Sequence, residues 1–409
     1  MKQGWVDFKW LPTFSFWTSI AYFVLSLVCF MFFVNEPSGD ENYFLGILSD
    51  INKQGWASHE IDSPLVYMAL AYPLSKFLSA FWALRVVNLG LLALLILYFV
   101  RVARLDYRSF YGYLGFFLAT SAVFFFGTND ALFIVSLVVF FSEVFFYLER
   151  GRMNDEGLAW SGLVVAFFTR ELFYVYLPAV FLAGFFLFRN GFRPKLRSFI
   201  LPLAVTLLLT GLNFHSIVSG HGVSYDQKKG EGNMTWTQRQ YLAQLMVNEG
   251  KLGNFDHPSW EQTRAYLNQH GEDSLPRTVF ESIVFDWKMT ATEFFKNGFE
   301  TLISGFRQLG LIMVLPFFWI GLYFFKRNPL SKDLWVPYLL VLMLGVFCII
   351  IISYVELRWL VAVFIPVLLY YSYNEQRSPS LRLFFVFNHL VLLALCLFGA
   401  TRLVMRFMI

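Results

Sequence analysis

Residues 14–34 read FSFWTSIAYFVLSLVCFMFFV, and residues 35–41 follow as NEPSGDE. The first stretch has no charged side chain and about the 20 residues a helix needs to cross a ~30 Å hydrocarbon core. The second is charged and turn-forming. The same alternation recurs along the chain and decides the fold class. Further apolar runs lie at roughly 82–100, 110–126, 131–148, 158–169, 171–188, 199–218, 306–325, 334–353, 358–373 and 383–401. With 14–34 they make about eleven candidate transmembrane helices, so the expected fold is an all-α polytopic membrane protein.

Composition points the same way. The 409 residues are 57% hydrophobic, 20% aromatic and 15% charged, against roughly 25% charged in a soluble domain. This excludes a disordered chain and an ordinary cytosolic enzyme. A net charge of +4 without a basic face gives no reason to expect a nucleic-acid partner. Cys29, Cys348 and Cys396 sit inside apolar runs, too dispersed for a zinc site or a disulfide framework. No small-residue cleavage site follows Val34, so 14–34 is expected to remain as the first span.

The run Pro64–Phe81 is interrupted by Pro73 and Lys76, and charge decides its place. If it lies along the outer interface, one side of the membrane collects Lys2, Lys9, Arg101, Arg104, Arg108, Arg150, Arg152, Arg189, Arg193, Lys195, Arg197, Lys326, Arg327, Lys332, Arg377 and Arg382. These are half of the 32 basic residues, and basic loops stay in the cytoplasm. The expected topology therefore has a cytoplasmic N-terminus and two long outer segments. The first, 35–81, reads as two amphipathic surface helices joined near Ser58–Pro64. The second, 219–305, is soluble in composition and reads as a mostly helical cap, with helices at Ser259–His270 and Pro276–Lys296. Three regions result: a membrane module 1–218, the outer cap 219–305, and C-terminal membrane helices 306–409.

Charged side chains at membrane depth cost at least ~2.5–3.5 kcal/mol to insert, so each is a candidate for function. Four groups map to outer helix ends: Asp40-Glu41, Thr128-Asn129-Asp130, Arg170-Glu171 and Glu356-Leu357-Arg358. Each also has a plain structural reading, as a helix cap, a local ion pair or a snorkelling arginine. Together they set carboxylates and two arginines on one side, a composition suited to a phosphate-bearing lipid substrate and a hydroxyl to be deprotonated.

This pattern resembles the GT-C superfamily of integral-membrane glycosyltransferases, which take sugars from polyprenyl-phosphate carriers. Protein O-mannosyltransferases, the lipid A aminoarabinose transferase and the dolichyl-phosphate-sugar transferases belong to it. Gly39-Asp40-Glu41-Asn42-Tyr43-Phe44 is similar to the Asp-Glu motif of the family's first outer loop. Ser63-Pro64-Leu65-Val66-Tyr67, with Leu84-Arg85-Val86-Val87-Asn88, is similar to its Pro-Pro-Leu-Tyr segment and trailing Leu-Arg. Asp130 falls where the family often has Asp at the start of its fourth span. Phe168-Thr169-Arg170-Glu171 resembles its Thr-Lys-Gly turn, and Glu356-Leu357-Arg358-Trp359-Leu360 its Lys-Glu-x-Arg-Phe-Leu segment. Arg170 stands for the usual Lys, Glu171 for a small residue, and Tyr354-Val355 for a His-Lys pair.

The resemblance implies transfer of a hexose or pentose from a polyprenyl phosphate to a hydroxyl on a lipid, glycan or protein. No cofactor is expected, and because the histidines lack a spaced carboxylate partner no obligatory metal is expected. Phosphate leaves as a stable anion, so one base and nearby cations suffice. Asp40 is the expected base, with Glu41 orienting it, the acceptor or adjacent backbone. Arg170 and Arg358 are expected to hold the lipid phosphate, and Asp130 to bind sugar hydroxyls or orient an arginine. Tyr67, Glu171 and Glu356 complete the expected substrate-binding set. The expected location is the bacterial inner membrane, with the site outside. His215, His221 and His257 read as structural or solvent-facing, and Trp56, Trp236 and Trp260 as interfacial aromatics. The rival readings are an envelope polysaccharide polymerase or ligase, a lipid transporter, and a non-catalytic membrane scaffold.

Overall fold

Backbone amides in lipid find partners only within helices or closed barrels, and among the described residues each apolar run contains a helix. The computed structural model describes residues 10–59, 61–226, 230–254, 256–350 and 355–407, so Lys2, Lys9 and Tyr354 lie outside the described residues. The helices are α1 (Leu11–Phe33), α2 (Asp40–Gln54), α3 (Leu65–Leu74), α4 (Ala80–Leu97), α5 (Arg108–Ser121) and α6 (Asp130–Arg150). Next come α7 (Glu156–Thr169), α8 (Phe173–Arg189), α9 (Ile200–Leu212), α10 (Phe214–Val218), α11 (Trp236–Asn248) and α12 (Trp260–His270). The last are α13 (Val279–Phe285), α14 (Trp287–Leu309), α15 (Leu315–Phe325), α16 (Trp335–Ile349), α17 (Val361–Arg377) and α18 (Arg382–Phe407). Among the described residues the only strand-like contact is one bridge, Glu231 to Met234.

Six helical segments are long and apolar enough to cross a membrane, and the chain is a multi-pass helical membrane protein. They are Leu11–Phe33, Ala80–Val102, Asp130–Arg150, Lys332–Ile349, Leu357–Arg377 and Pro379–Phe407. A seventh arises if Trp287–Met313 and Leu315–Phe325, bent by 61°, form one broken span. Pro316 opens α15 and Gly310 takes φ 62°, two reasons for a break there. The remaining runs fall short of the expected length. The four helices Leu65–Leu74, Glu156–Thr169, Phe173–Arg189 and Leu196–Leu212 have only 10–17 residues. The run 110–126 becomes α5, of 14 residues, because Ala122 turns left-handed at φ 51° and the chain leaves the helix.

The chain forms two compact units. The first comprises Met1–Asp226, Gly305–Leu340 and Val361–Ile409. At its centre lies α6, with 89% of its most apolar window buried, packed against α4, α7, α8 and α17. The backbones of α6 and α7 approach so closely that a Cβ on Gly162 would sit 2.5 Å from the Ser136 carbonyl oxygen. Helix α1 lies between α5 and α18. Helix α2 is amphipathic as expected, burying Phe44, Ile47, Leu48 and Ile51 at helical spacing. Helix α3 differs: Leu65 to Met68 are buried consecutively, so it is inserted among its neighbours instead of resting on one face.

The second unit comprises Gln227–Ser304 and Val341–Leu360. Thr235 with Gln238 and Ser259 with Gln262 form capping boxes that start α11 and α12. Met234, Tyr241, Leu242, Leu267 and Leu275 make its small apolar core. The helix expected at Ser259–His270 matches α12, whereas Pro276–Lys296 divides into α13 and the start of α14 at Asp286.

Candidate functional site

A buried carboxylate needs a partner, and Glu41 has one that the sequence leaves 44 positions away. Arg85, on α4, donates from Nε to Glu41 Oε1 at 2.8 Å and from Nη2 to Oε2 at 3.0 Å. Both side chains are sealed, at 1% and 0% exposure. Nη1 of Arg85 donates to the carbonyls of Val34 at 2.7 Å and Phe30 at 3.1 Å, the otherwise unpaired end of α1. Glu41 Oε1 also accepts the Gly127 amide at 2.8 Å. One fork-to-fork pair thus ties α1, α2, α4 and the 126–130 turn together. Glycine is required at 127, because a Cβ there would overlap the Leu84 Cβ and sit 3.2 Å from Glu41 Oε1.

The same turn is held from a second side. Asn88 donates to the carbonyls of Thr128, at 2.9 Å, and Phe126. The Tyr67 hydroxyl donates to Asn88 Oδ1 at 3.0 Å and contacts the Leu84 carbonyl at 3.3 Å. Tyr67 has no exposed surface, so its hydroxyl braces the turn and presents nothing to a substrate. Its ring meets Phe44 edge-to-face at 5.8 Å, which fixes α3 against α2.

Beyond the turn stands Asp130, the first residue of α6. It forms an ion pair with Arg170 and accepts the Thr128 hydroxyl at 3.2 Å through its second oxygen. Arg170 follows α7 in an extended conformation. The Arg170 side chain keeps 14% of its surface and Asp130 only 4%. The carboxylate behind it fixes the direction of the planar guanidinium.

Two further carboxylates gather here that sequence reasoning passed over. Asp226 Oδ1 accepts the Asn129 amide at 3.3 Å, and the Asp62 backbone carbonyl accepts the Tyr43 hydroxyl at 3.2 Å. Burial, then the charges of Asp226 and Asp62, push the Tyr43 phenol up to about 12. The Tyr225 hydroxyl donates to the Phe167 carbonyl at 2.6 Å and brings the 219–226 segment against α7. The only advance signal for Asp226 was its position beside an aromatic in a polar segment. Asp40, first residue of α2, is half-buried one position before the sealed Glu41. Glu171 is exposed in the turn between α7 and α8. The first unit therefore holds Asp40, Glu41, Tyr67, Asp130, Arg170 and Glu171, with the turn 126–130 as the link between Glu41 and Arg170.

The other expected pair belongs to the second unit. Glu356 and Arg358 form an ion pair two residues apart, both half-buried, and Trp359 stacks on Phe347 at 5.8 Å. In the same unit Arg239 lies over the rings of both Trp236 and Trp260, 4.9 Å from each centroid, and His257 packs on Trp236 at 5.6 Å. Those two indoles are engaged by a cation. Among the described residues no group of three or more His, Cys, Asp or Glu side chains is placed to hold a metal ion.

Compared with protein-family models, with curated proteins and with solved structures, the chain matches none. What it does can therefore be argued only from its own residues.

Proposed function

We propose that the chain is an integral-membrane glycosyltransferase of GT-C type. It moves a sugar from a polyprenyl phosphate to an acceptor hydroxyl on the extracytoplasmic side. The observation that carries this reading is Arg170, oriented from behind by Asp130 and partly accessible, at the end of the bundle where Asp40 opens α2. A phosphate oxygen is a natural partner for the planar fork of an accessible, buttressed guanidinium. In the step itself the Asp40 carboxylate takes the acceptor proton. The alkoxide oxygen bonds to the anomeric carbon from the face opposite the phosphate, and the carbon–oxygen bond to phosphate breaks with inversion. Arg170 stabilises the departing anion. Glu41, committed to Arg85 and Gly127, holds the start of α2 in place.

The basic loops support an N-terminus in the cytoplasm and this end of the bundle outside, and the membrane we propose is a bacterial inner membrane. Counting the shorter helices α5, α7, α8 and α9 with the longer ones, and α14–α15 as one broken span, gives eleven crossings.

A membrane assay with a panel of polyprenyl-phosphate sugars tests the reading. Asp40→Asn is expected to insert and purify normally while losing transfer by roughly 10²–10⁴-fold, the usual contribution of a positioned base. Turnover within a few-fold of wild type in that variant removes Asp40 from the mechanism.

A further inference from the structure

The opposite end of the first unit carries a second polar site. Helix α6 runs from Asp130 to Arg150, so Glu149 lies about 28 Å along its axis from Asp130 at 1.5 Å per residue. There a cavity of about 310 Å³ is lined by Glu149, Tyr323, Lys332, Asp333, Tyr373 and Arg377, with Trp319 and neighbours completing the wall. Its size is at the lower end of the roughly 300–1,000 Å³ range of small-molecule sites.

Two acids and two bases face one space, and each is only partly used. Glu149 Oε2 accepts the Tyr373 hydroxyl, which in turn accepts one N–H of Arg377. Asp333 Oδ2 accepts the hydroxyls of Tyr323 at 2.5 Å and Ser331 at 3.1 Å. Lys332 donates one N–H to the Leu148 carbonyl at 2.6 Å. Within the described hydrogen bonds this leaves Glu149 Oε1, Asp333 Oδ1, two donors of Lys332 and four of Arg377 for a ligand. The Trp319 indole N–H is buried on the wall without a hydrogen-bond partner. A simple anion would leave the carboxylates facing negative charge, and a simple cation would meet the two bases. A ligand carrying both charges satisfies all four groups.

The aromatic rings narrow the choice. Arg377 covers the face of Tyr373 at 4.2 Å, and Lys326 lies over Tyr323 at 5.7 Å. With a cation already over Tyr323 and over Tyr373, those two rings are poorly placed to cage a quaternary ammonium. The positive group must instead donate N–H bonds to carboxylate oxygens, which calls for a primary ammonium. Trp319 and Tyr323 lie one helical turn apart on α15, while the same helix exposes Phe317, Phe318, Phe324 and Phe325. Acyl chains therefore have an apolar surface directly beside the polar hollow.

We propose that this cavity binds a phosphodiester bearing a primary ammonium, the chemistry of a phosphoethanolamine headgroup. The phosphate lies against Lys332, Arg377 and the Trp319 indole, and the ammonium lies between Glu149 and Asp333. The assignment is independent of the glycosyltransferase reading.

Calorimetric titration of the purified full chain in detergent tests it, with four probes: dihexanoyl phosphatidylethanolamine, glycerophosphoethanolamine, dihexanoyl phosphatidylcholine and inorganic phosphate. The two ethanolamine compounds are expected to bind, with the choline lipid and phosphate weaker by about tenfold or more. Tighter binding of the lipid than of the soluble diester assigns the site to a membrane lipid, and equal binding assigns it to the headgroup alone. Arg377→Gln and Asp333→Asn are each expected to lower affinity by about tenfold. Lys332→Gln, at an exposed position, serves if either variant fails to fold. Phosphate binding as tightly as the ethanolamine compounds, choline lipid binding equally well, absence of any binding, or unchanged affinity in the variants overturns the proposal.

Discussion

Two arginine–carboxylate pairs stand at one end of the first unit, joined by a single turn, and they are built for different tasks. Glu41–Arg85 is closed: both side chains are sealed, and the guanidinium also caps the end of α1. Asp130–Arg170 is open on one side, because the arginine keeps accessible surface while its carboxylate is buried behind it. A closed pair fixes geometry, since four of the five guanidinium donors are committed to described acceptors. An open pair fixes direction and keeps the guanidinium within reach of something that arrives. The adjacent acids of the Asp40-Glu41 dipeptide divide in the same way, with Glu41 in the framework and Asp40 half-buried at its edge.

The strongest way to break this comparison is Arg85→Ala. Leaving Glu41 buried and unpaired is expected to cost about 3–5 kcal/mol. Thermal unfolding in detergent should show the loss, with partial recovery in the Arg85→Ala/Glu41→Gln double variant. Wild-type stability in the single variant would end the idea that this pair is the brace. Asp130→Asn should cost less, about 1.5–3 kcal/mol, since Arg170 can take up water where Arg85 cannot. Its larger effect should be on donor binding, read as a raised KM. Equal destabilisation by the two variants would erase the difference between closed and open.

Tyr67→Phe separates bracing from substrate contact. It removes one buried donor from Asn88, for about 1 kcal/mol of stability, and should leave KM unchanged. A raised KM at unchanged melting temperature would return Tyr67 to the substrate-binding set. The smallest effect is expected at Glu231→Gln, which breaks an exposed pair with Arg264 in the second unit. Such surface pairs contribute roughly 0.2–1 kcal/mol, so a larger loss there would mark that pair as part of a network.

Much of the architecture was legible in the sequence because lipid restricts what a backbone can do. Each apolar run holds a helix, the segment Ser259–His270 forms α12, and the amphipathic helix expected after the first span is α2, which buries Phe44, Ile47, Leu48 and Ile51. The number of full-length spans was harder to read. Hydropathy counts residues such as Ala122 to Phe126 as part of a helix, whereas the left-handed Ala122 turns them into loop. Partners of charges were the least legible. Asp130 and Arg170 were both singled out, yet their pairing depends on how α6 and α7 lie together. Arg85 looked like part of a trailing segment, and only burial reveals it as the counter-ion of Glu41. Asp226 carried no pattern of its own. A periodicity reports which face a residue occupies, but not which distant side chain shares that face.

The Glu41–Arg85 fork has a consequence for biogenesis. Arg85 begins a hydrophobic segment that must leave the translocon, and a bare guanidinium deep in hydrocarbon costs at least ~2.5–3.5 kcal/mol. Its counter-ion is synthesised 44 residues earlier and is already waiting when α4 emerges. The Gly127 amide arrives 86 residues after Glu41 and closes the set. Arg85 can therefore enter the membrane already matched by Glu41, so that α1, α2 and α4 insert as a neutral group.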